Sequence, residues 1–284
     1  MDVKDRLMRL LRLWRGLFGK HELLDHASSI AFQVLKALIP LSLLGLAILG
    51  ATGEEHVWRK TIAPAIKPHL SGPTFHAIDY SAEKIFASDS AGLIAFSALL
   101  ALWYISGSVR AVMGGINQIY DTEDHRPWQV REALSFALAA CIAVGVIGSM
   151  LLTVVVAQVG GNGALRAVAE VGRWLAAIVL LGVVLGVLVR FAPAERRAKR
   201  WASAGSALVI AAWIVATLIF ELFVSHVANF KSATGQLTVF LVLITYVYIS
   251  SIILLVGVEL DEMLREDATR GHKGVLEVLF GLGK

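Results

Sequence analysis

The sequence predicts an all-α polytopic membrane protein with six transmembrane helices, both termini cytoplasmic, and an amphipathic interfacial helix at the amino terminus. Three observations predict it. Of 284 residues, 57% are hydrophobic and only 17% charged, where a soluble chain carries about a quarter; the mean hydropathy is +0.70. The apolar residues fall in six continuous stretches of roughly 20, the length that crosses a bilayer core as a helix. Lys and Arg gather in every second connection. So little polar side chain does not cover this much apolar surface in water. The runs do not alternate and are about twice a barrel strand in length, which favours helices over barrel strands. One cysteine, Cys141, excludes an internal disulfide framework and a cysteine-based zinc cage.

Residues 1–28 form the first unit. Leu7, Leu10, Leu11, Trp14, Leu17 and Phe18 share one helical arc, and Lys4, Arg9, Arg12 and Arg15 mainly the other. Such a helix lies on an anionic leaflet, with Arg9, Arg12 and Arg15 against lipid; the same pattern also suits packing on the protein's own cytoplasmic face. Arginines interrupt the apolar run every third residue and no small-residue cleavage site follows, which excludes a signal peptide. The second unit, 29–260, holds the crossings at 30–49, 91–109, 133–156, 174–192, 202–227 and 236–258. The long outer loop, 51–90, is broken by Pro64, Pro68 and Pro73. Within it Phe75, Ile78, Ala82, Ile85 and Phe86 recur at helical spacing and predict an amphipathic helix capping the outer side. Residues 261–284 are a cytoplasmic tail. With the amino terminus inside, 18 of the 26 Lys and Arg lie in cytoplasmic segments and seven in outer ones. The cluster Arg190, Arg196, Arg197, Lys199 and Arg200 is the clearest pin, and Arg196, Arg197 and Arg200 are expected to meet anionic lipid.

Polar groups inside spans are the candidate functional residues, because a charge at mid-bilayer costs about 2.5–3.5 kcal/mol or more. Gln33, Lys36 and Pro40 fall within two turns of the first span. Pro40 removes a backbone hydrogen bond and is expected to bend the helix. Glu221 lies in the fifth span, about 9 Å inside its outer end, and is expected to face protein or water. These four residues are the candidate substrate or ion path. Lys36 also reads as a snorkelling lysine, and Glu221 as a structural hydrogen-bonding group. At the inner end of the second span, Ser106, Arg110, Asn117, Tyr120 and Asp121 form a polar stripe, read as a tie to the 190–200 turn rather than as a vestibule. Glu259 and Asp261 are candidate partners for that turn's arginines. Gly182 with Gly186, and Gly145 with Ser149, are small-residue steps that let helices approach closely; they fit a neighbour in the same chain or in a homo-oligomer.

Several segments together resemble one family. They are Ala31-Phe32 with Leu38-Ile39-Pro40-Leu41; Leu102-Trp103-Tyr104-Ile105-Ser106-Gly107 with Asn117-Gln118-Ile119-Tyr120 and Arg126-Pro127; Arg190-Phe191-Ala192-Pro193; and Asn229-Phe230-Lys231, Gly235, Leu237, Tyr248-Ile249-Ser250 and Gly257-Val258-Glu259-Leu260-Asp261. In order and spacing they look like the YihY / virulence factor BrkB family of bacterial inner-membrane proteins, over about residues 20–265. Thr234, Thr238 and Tyr246 depart from its usual Tyr, Gly and Trp. The resemblance implies six helical spans and a multi-pass inner-membrane location. Some members carry the label ribonuclease BN. The eight histidines form no HxHxDH or HExxH spacing, and His56, His69 and His76 fall in the outer loop, so the residues supply no catalytic constellation.

The expected function is a transporter, exporter or lipid-moving protein with an unidentified small molecule, ion or lipid as cargo. The alternative is a non-transporting membrane scaffold for envelope integrity or virulence. A membrane-bound ribonuclease ranks last. No cofactor, metal or nucleic acid is expected, and no P-loop is present.

Overall fold

The computed structural model describes Gly19 and residues 22–88, 90–158, 163–195, 204–226 and 233–270. The predicted helix of residues 1–18 and the arginines at 196, 197 and 200 lie outside these. The regular structure among the described residues is all helix, with no strand among them. The long helices are α1 (Leu23–Ala51), α2 (Gly72–Phe86), α3 (Ser90–Ile119), α4 (Trp128–Gln158), α5 (Gly163–Phe191), α6 (Ala204–His226) and α7 (Ala233–Arg270). A string of short helical turns over 55–69 links α1 to α2.

Five stretches are long and apolar enough to cross a membrane: Leu23–Ala51, Ala91–Ile119, Val171–Phe191, Gly205–Val224 and Leu241–Arg265. They fall on the first, second, fourth, fifth and sixth expected spans. The third expected span lies inside α4, and many of its side chains are outside the described ones. Several helices outrun the apolar stretches. The 38 residues of α7 rise about 57 Å at 1.5 Å per residue, well beyond a hydrocarbon core of roughly 30 Å. Helical structure continues through Pro40 to Ala51, so proline does not end α1.

The helices form a circuit. α1 packs on α3, α3 on α4, α4 on α5, α5 on α6, α6 on α7, and α7 back on α1, with a further α3–α7 contact. The α1–α3 interface is the most extensive. Its antiparallel register is visible in Gln33 beside Gly107 and His26 beside Gly114 and Gly115. Ala27, Ala37 and Ala47 on α1, with Ala101 and Ser97 on α3, are buried; small side chains let two backbones approach where apolar burial drives association weakly.

Packing is uneven along the bundle. At the end carrying Arg110, Arg126 and Arg190, here the basic end, α1, α3, α4, α5, α6 and α7 all contribute core residues, among them Ile30, Met113, Leu138, Leu188, Val209 and Leu255. Toward the opposite end the later helices separate. No described side chain of α5 from Val168 to Val184 is buried, whereas Leu185 and Leu188 are. On α6, every residue from Thr217 to Phe223 except Phe220 is exposed.

The predicted amphipathic helix of the 51–90 segment is present as α2. Trp58, Ala63 and Ala82 form a second small core with Phe75, Phe86 and Leu46 of α1. Trp58 donates its indole N–H to Asp79 Oδ1 (2.9 Å), and Arg59 clamps Glu83 through two hydrogen bonds (2.9 and 2.8 Å). Gly50 is where α1 meets α2: a Cβ there would lie 3.3 Å from the Phe86 Cα.

Candidate functional site

Two polar systems organise the bundle: a lock at the basic end and a seam between α6 and α7.

Arg110 is the hub of the lock. Its Nη1 donates to Glu132 Oε2 (2.6 Å), Ser106 Oγ (3.1 Å) and Ser135 Oγ (3.3 Å). Both serines are fully buried. Each gives its own proton to a helix carbonyl, Ser106 to Trp103 and Ser135 to Glu132. Each hydroxyl is therefore left as an acceptor toward the guanidinium. The lock joins α3 to α4, and Gln33 of α1 presses on it. A Cβ at Gly107 would meet Gln33 Oε1 at 3.2 Å and Arg110 Nη2 at 3.7 Å.

A second clasp closes the same end. The Arg126 guanidinium grips Asp124 through two hydrogen bonds (2.8 and 2.9 Å) and donates to the Ala192 carbonyl at the end of α5 (3.0 Å). Asn117 Oδ1 accepts from the Ala194 backbone N–H (2.8 Å). The expected tie from the second span to the turn after residue 190 is thus present, made by Asn117 and Arg126. Arg126 holds the Asp124 carboxyl below the usual carboxylate range, chiefly by side-chain hydrogen bonding.

The α6–α7 seam climbs away from the basic end. Gly205 N–H in the first described turn of α6 donates to Asp261 Oδ1 (2.8 Å), so an α7 carboxylate satisfies a donor near a helix start. Above it Gly205 and Gly257 touch. A Cβ on Gly205 would fall 2.0 Å from the Gly257 carbonyl, and one on Gly257 2.2 Å from Val209 Cγ2. Next, Trp213 donates its indole N–H to the Ser250 carbonyl (2.9 Å). The Ser250 hydroxyl is buried and makes no hydrogen bond among the described residues. Then Thr217 Oγ1 lies 2.9 Å from the Tyr246 hydroxyl. Thr217 gives its proton to the Trp213 carbonyl (2.7 Å), so Tyr246 is the donor. The Tyr246 ring also packs on Phe220, centroids 4.6 Å apart.

The expected path residues are not brought to one place. Gln33, Lys36 and Pro40 sit on α1 against α3. Glu221 sits one turn beyond Thr217 on α6, whose main contacts are with α5 and α7. Glu221 is exposed on the surface of the single chain rather than enclosed by protein, because α6 is covered on so little of its circumference at that level. Lys36 holds its ammonium over the rings of Phe32 (5.0 Å) and Tyr104 (5.3 Å). Pro40 is buried and has no N–H for the Lys36 carbonyl.

Of the polar stripe, Ser106, Arg110 and Asn117 act at the basic end as described. Tyr120 is buried in the main core. Asp121 has left the helix: α3 ends at Ile119, and Asp121 has a φ of 49°. Its expected place on a helical face is therefore corrected; the chain turns there toward Asp124 and Arg126. Gly145 lies against Val184 and Gly182 against Ile210, so these small-residue positions serve contacts within the chain.

Sequence reasoning missed Glu132 and Ser135, Trp213 and Thr217, and the Gly205–Gly257 contact. Gly257, Asp261, Asn117, Arg126 and Ala192 all belong to the segments that carry the family resemblance. The structure gives these residues a shared physical task, holding α3, α5, α6 and α7 together at one end. Three of the described histidines, His56, His76 and His125, are exposed on different segments, while His26 lies against α3. Among the described residues, no group of three or more His, Cys, Asp or Glu is placed to hold a metal ion.

The family model described as virulence factor BrkB matches residues 16–276. The ribonuclease-like protein YfkH of Bacillus subtilis (strain 168) is 22% identical over 267 residues, spanning 91% of this chain and 96% of its own length. No solved structure matches. With that match running over nearly the whole multi-pass bundle, the chain belongs to the virulence factor BrkB family.

Proposed function

We propose that the chain is a six-crossing transporter of the bacterial inner membrane, both termini cytoplasmic, in a state closed at the cytoplasmic end and open at the other. Five helices qualify as spans. α4 supplies the sixth, since 133–156 is uncharged and wholly helical. An even number of crossings puts both termini on one side, and the Lys and Arg distribution assigns that side to the cytoplasm.

The uneven packing carries the transport reading. A helix that meets lipid on one side keeps a buried stripe on the other. From Thr217 to Phe223, nearly two turns, α6 keeps only Phe220 from exposure. Exposure around almost the whole circumference leaves room on the side toward the bundle as well. Thr217 and Tyr246 meet on that side, with Glu221 one helical turn beyond Thr217, and below them lies the Ser250 hydroxyl, which makes no hydrogen bond among the described residues. Apolar walls with a sparse polar ladder suit an amphipathic cargo better than a bare ion. The Arg110 and Arg126 systems then act as the closed gate.

Cysteine accessibility tests this. In a Cys141→Ser background, Thr217→Cys is expected to react with a membrane-impermeant thiol reagent applied from outside, whereas Leu254→Cys in the closed core is not. Thr217→Cys as inert as Leu254→Cys would remove the crevice and with it the transport reading. Adding Arg110→Ala is expected to raise labelling of Ser106→Cys from the cytoplasmic side, because the loss of the bonds to Glu132 and Ser135 loosens the gate. For topology, a reporter fused after Lys199 should read cytoplasmic, and one in 51–90 external.

A further inference from the structure

We propose that the face of α1 and α3 around Lys36 binds the phosphate of a glycerophospholipid headgroup from the leaflet at the basic end. Lys36 is a cation in a membrane-crossing helix, about 20 Å along α1 from Leu23. Its ammonium lies over two aromatic faces. Among the described residues no carboxylate pairs with it, in contrast to Arg110 and Arg126, whose carboxylates are close at hand. The two rings hold the ammonium in place and lower the penalty of removing it from water, but neutralise no charge. The Tyr104 hydroxyl makes no hydrogen bond among the described residues, so a second donor stands beside the first. Gln33 lies one turn nearer the basic end, its amide oxygen held toward Gly107.

This cluster opens outward. Phe32 is 62% exposed, and Ile39, two turns further on, 77% exposed. An occupant therefore approaches from the bilayer side, where phosphate esters of lipids are the available anions. A soluble phosphate would have to shed its water and pass acyl chains to reach the same place. A lipid brings its phosphate already at the interface, within the reach of a long side chain that bends toward the headgroups. Lys36, Tyr104 and Gln33 would meet the phosphate and its polar substituent, with Phe32 and Ile39 along the acyl chains. The inference needs only the membrane location and stands apart from the transport reading.

The test is native mass spectrometry of the purified full-length chain with added palmitoyl-oleoyl phosphatidylglycerol, with glycerol 1-phosphate as the soluble competitor. A retained lipid is expected that glycerol 1-phosphate does not displace. Lys36→Gln should weaken it about fivefold, the scale of one cation near a headgroup, while Lys36→Arg keeps it. Tyr104→Phe, which preserves the ring, should weaken it by about threefold, and this variant carries the test should Lys36→Gln fail to fold. Unchanged retention in both Lys36→Gln and Tyr104→Phe would overturn the proposal by placing the bound lipid elsewhere. Displacement by glycerol 1-phosphate would overturn it by showing a site for soluble phosphate.

Discussion

Gly205→Ala is expected to cause the largest loss of stability of any single-methyl change in the chain. The added Cβ would sit 2.0 Å from the Gly257 carbonyl and 2.6 Å from the Asp261 carboxyl carbon. Both obstacles are fixed, one being helix backbone and the other the acceptor for the Gly205 N–H. The only relief is to push α6 from α7, which breaks that hydrogen bond and the packing of Val209 on Gly257. Overpacking alone costs about 1–3 kcal/mol, and the lost charge-assisted bond about 1.5–3 more. The detergent-solubilised variant should therefore melt well below the parent and elute as aggregate. Gly182→Ala is the control, because its Cβ would meet Ile210 Cδ1 at 3.7 Å, an ordinary contact. Equal stability for Gly205→Ala and Gly182→Ala would contradict the close α6–α7 crossing.

Arg126→Ala should be nearly as damaging. It removes two bonds to Asp124 and one to the Ala192 carbonyl, and leaves a largely enclosed carboxylate without its cation. Breaking a buried pair costs about 3–5 kcal/mol; a pair at the membrane boundary, part-exposed, should lose about 2–3. The pH dependence has a definite sign. Folding depresses the Asp124 pKa, so the clasp's contribution is fully present above the unfolded carboxylate value, near 3.9, and is lost as pH falls through the lower folded value. The stability difference between the parent and Asp124→Asn is thus expected to be flat from pH 7 to about 5 and to vanish in stronger acid. Growth of that difference on acidification would be inconsistent with the assigned clasp.

Five of the expected spans were legible because lipid demands long apolar runs, and a helix also covers 133–156. The helix within 51–90 was legible for a related reason: Phe75, Ala82 and Phe86 repeat at helical spacing, and they are residues that pack against Trp58. The tie through Asn117 could be anticipated from a polar group at the end of an apolar run. Its partner could not, since Ala194 contributes only a backbone N–H, which every residue but proline carries. Glu132 and Ser135 escaped notice because they lie beyond the turn from Arg110, and their meeting depends on how α4 folds back. Gly205 and Gly257 are separated by most of two spans, so nothing local marks them as a pair. The exposure of Glu221 was also hidden. A carboxylate within an apolar run signals a cost, but not which side of the helix the neighbours occupy.

The broad α1–α3 interface has a consequence for how the chain is assembled. α1 must wait for roughly forty residues of cap before its main partner emerges, and its second partner, α7, follows only after three further long helices. Until then Lys36 and Pro40 stand on a helix without neighbours, at a stage when escape back into water is easiest. Insertion of this protein should accordingly depend on whatever shelters a young, imperfectly apolar helix beside the ribosome. A chain stopped before α7 should be degraded faster than its length alone would explain.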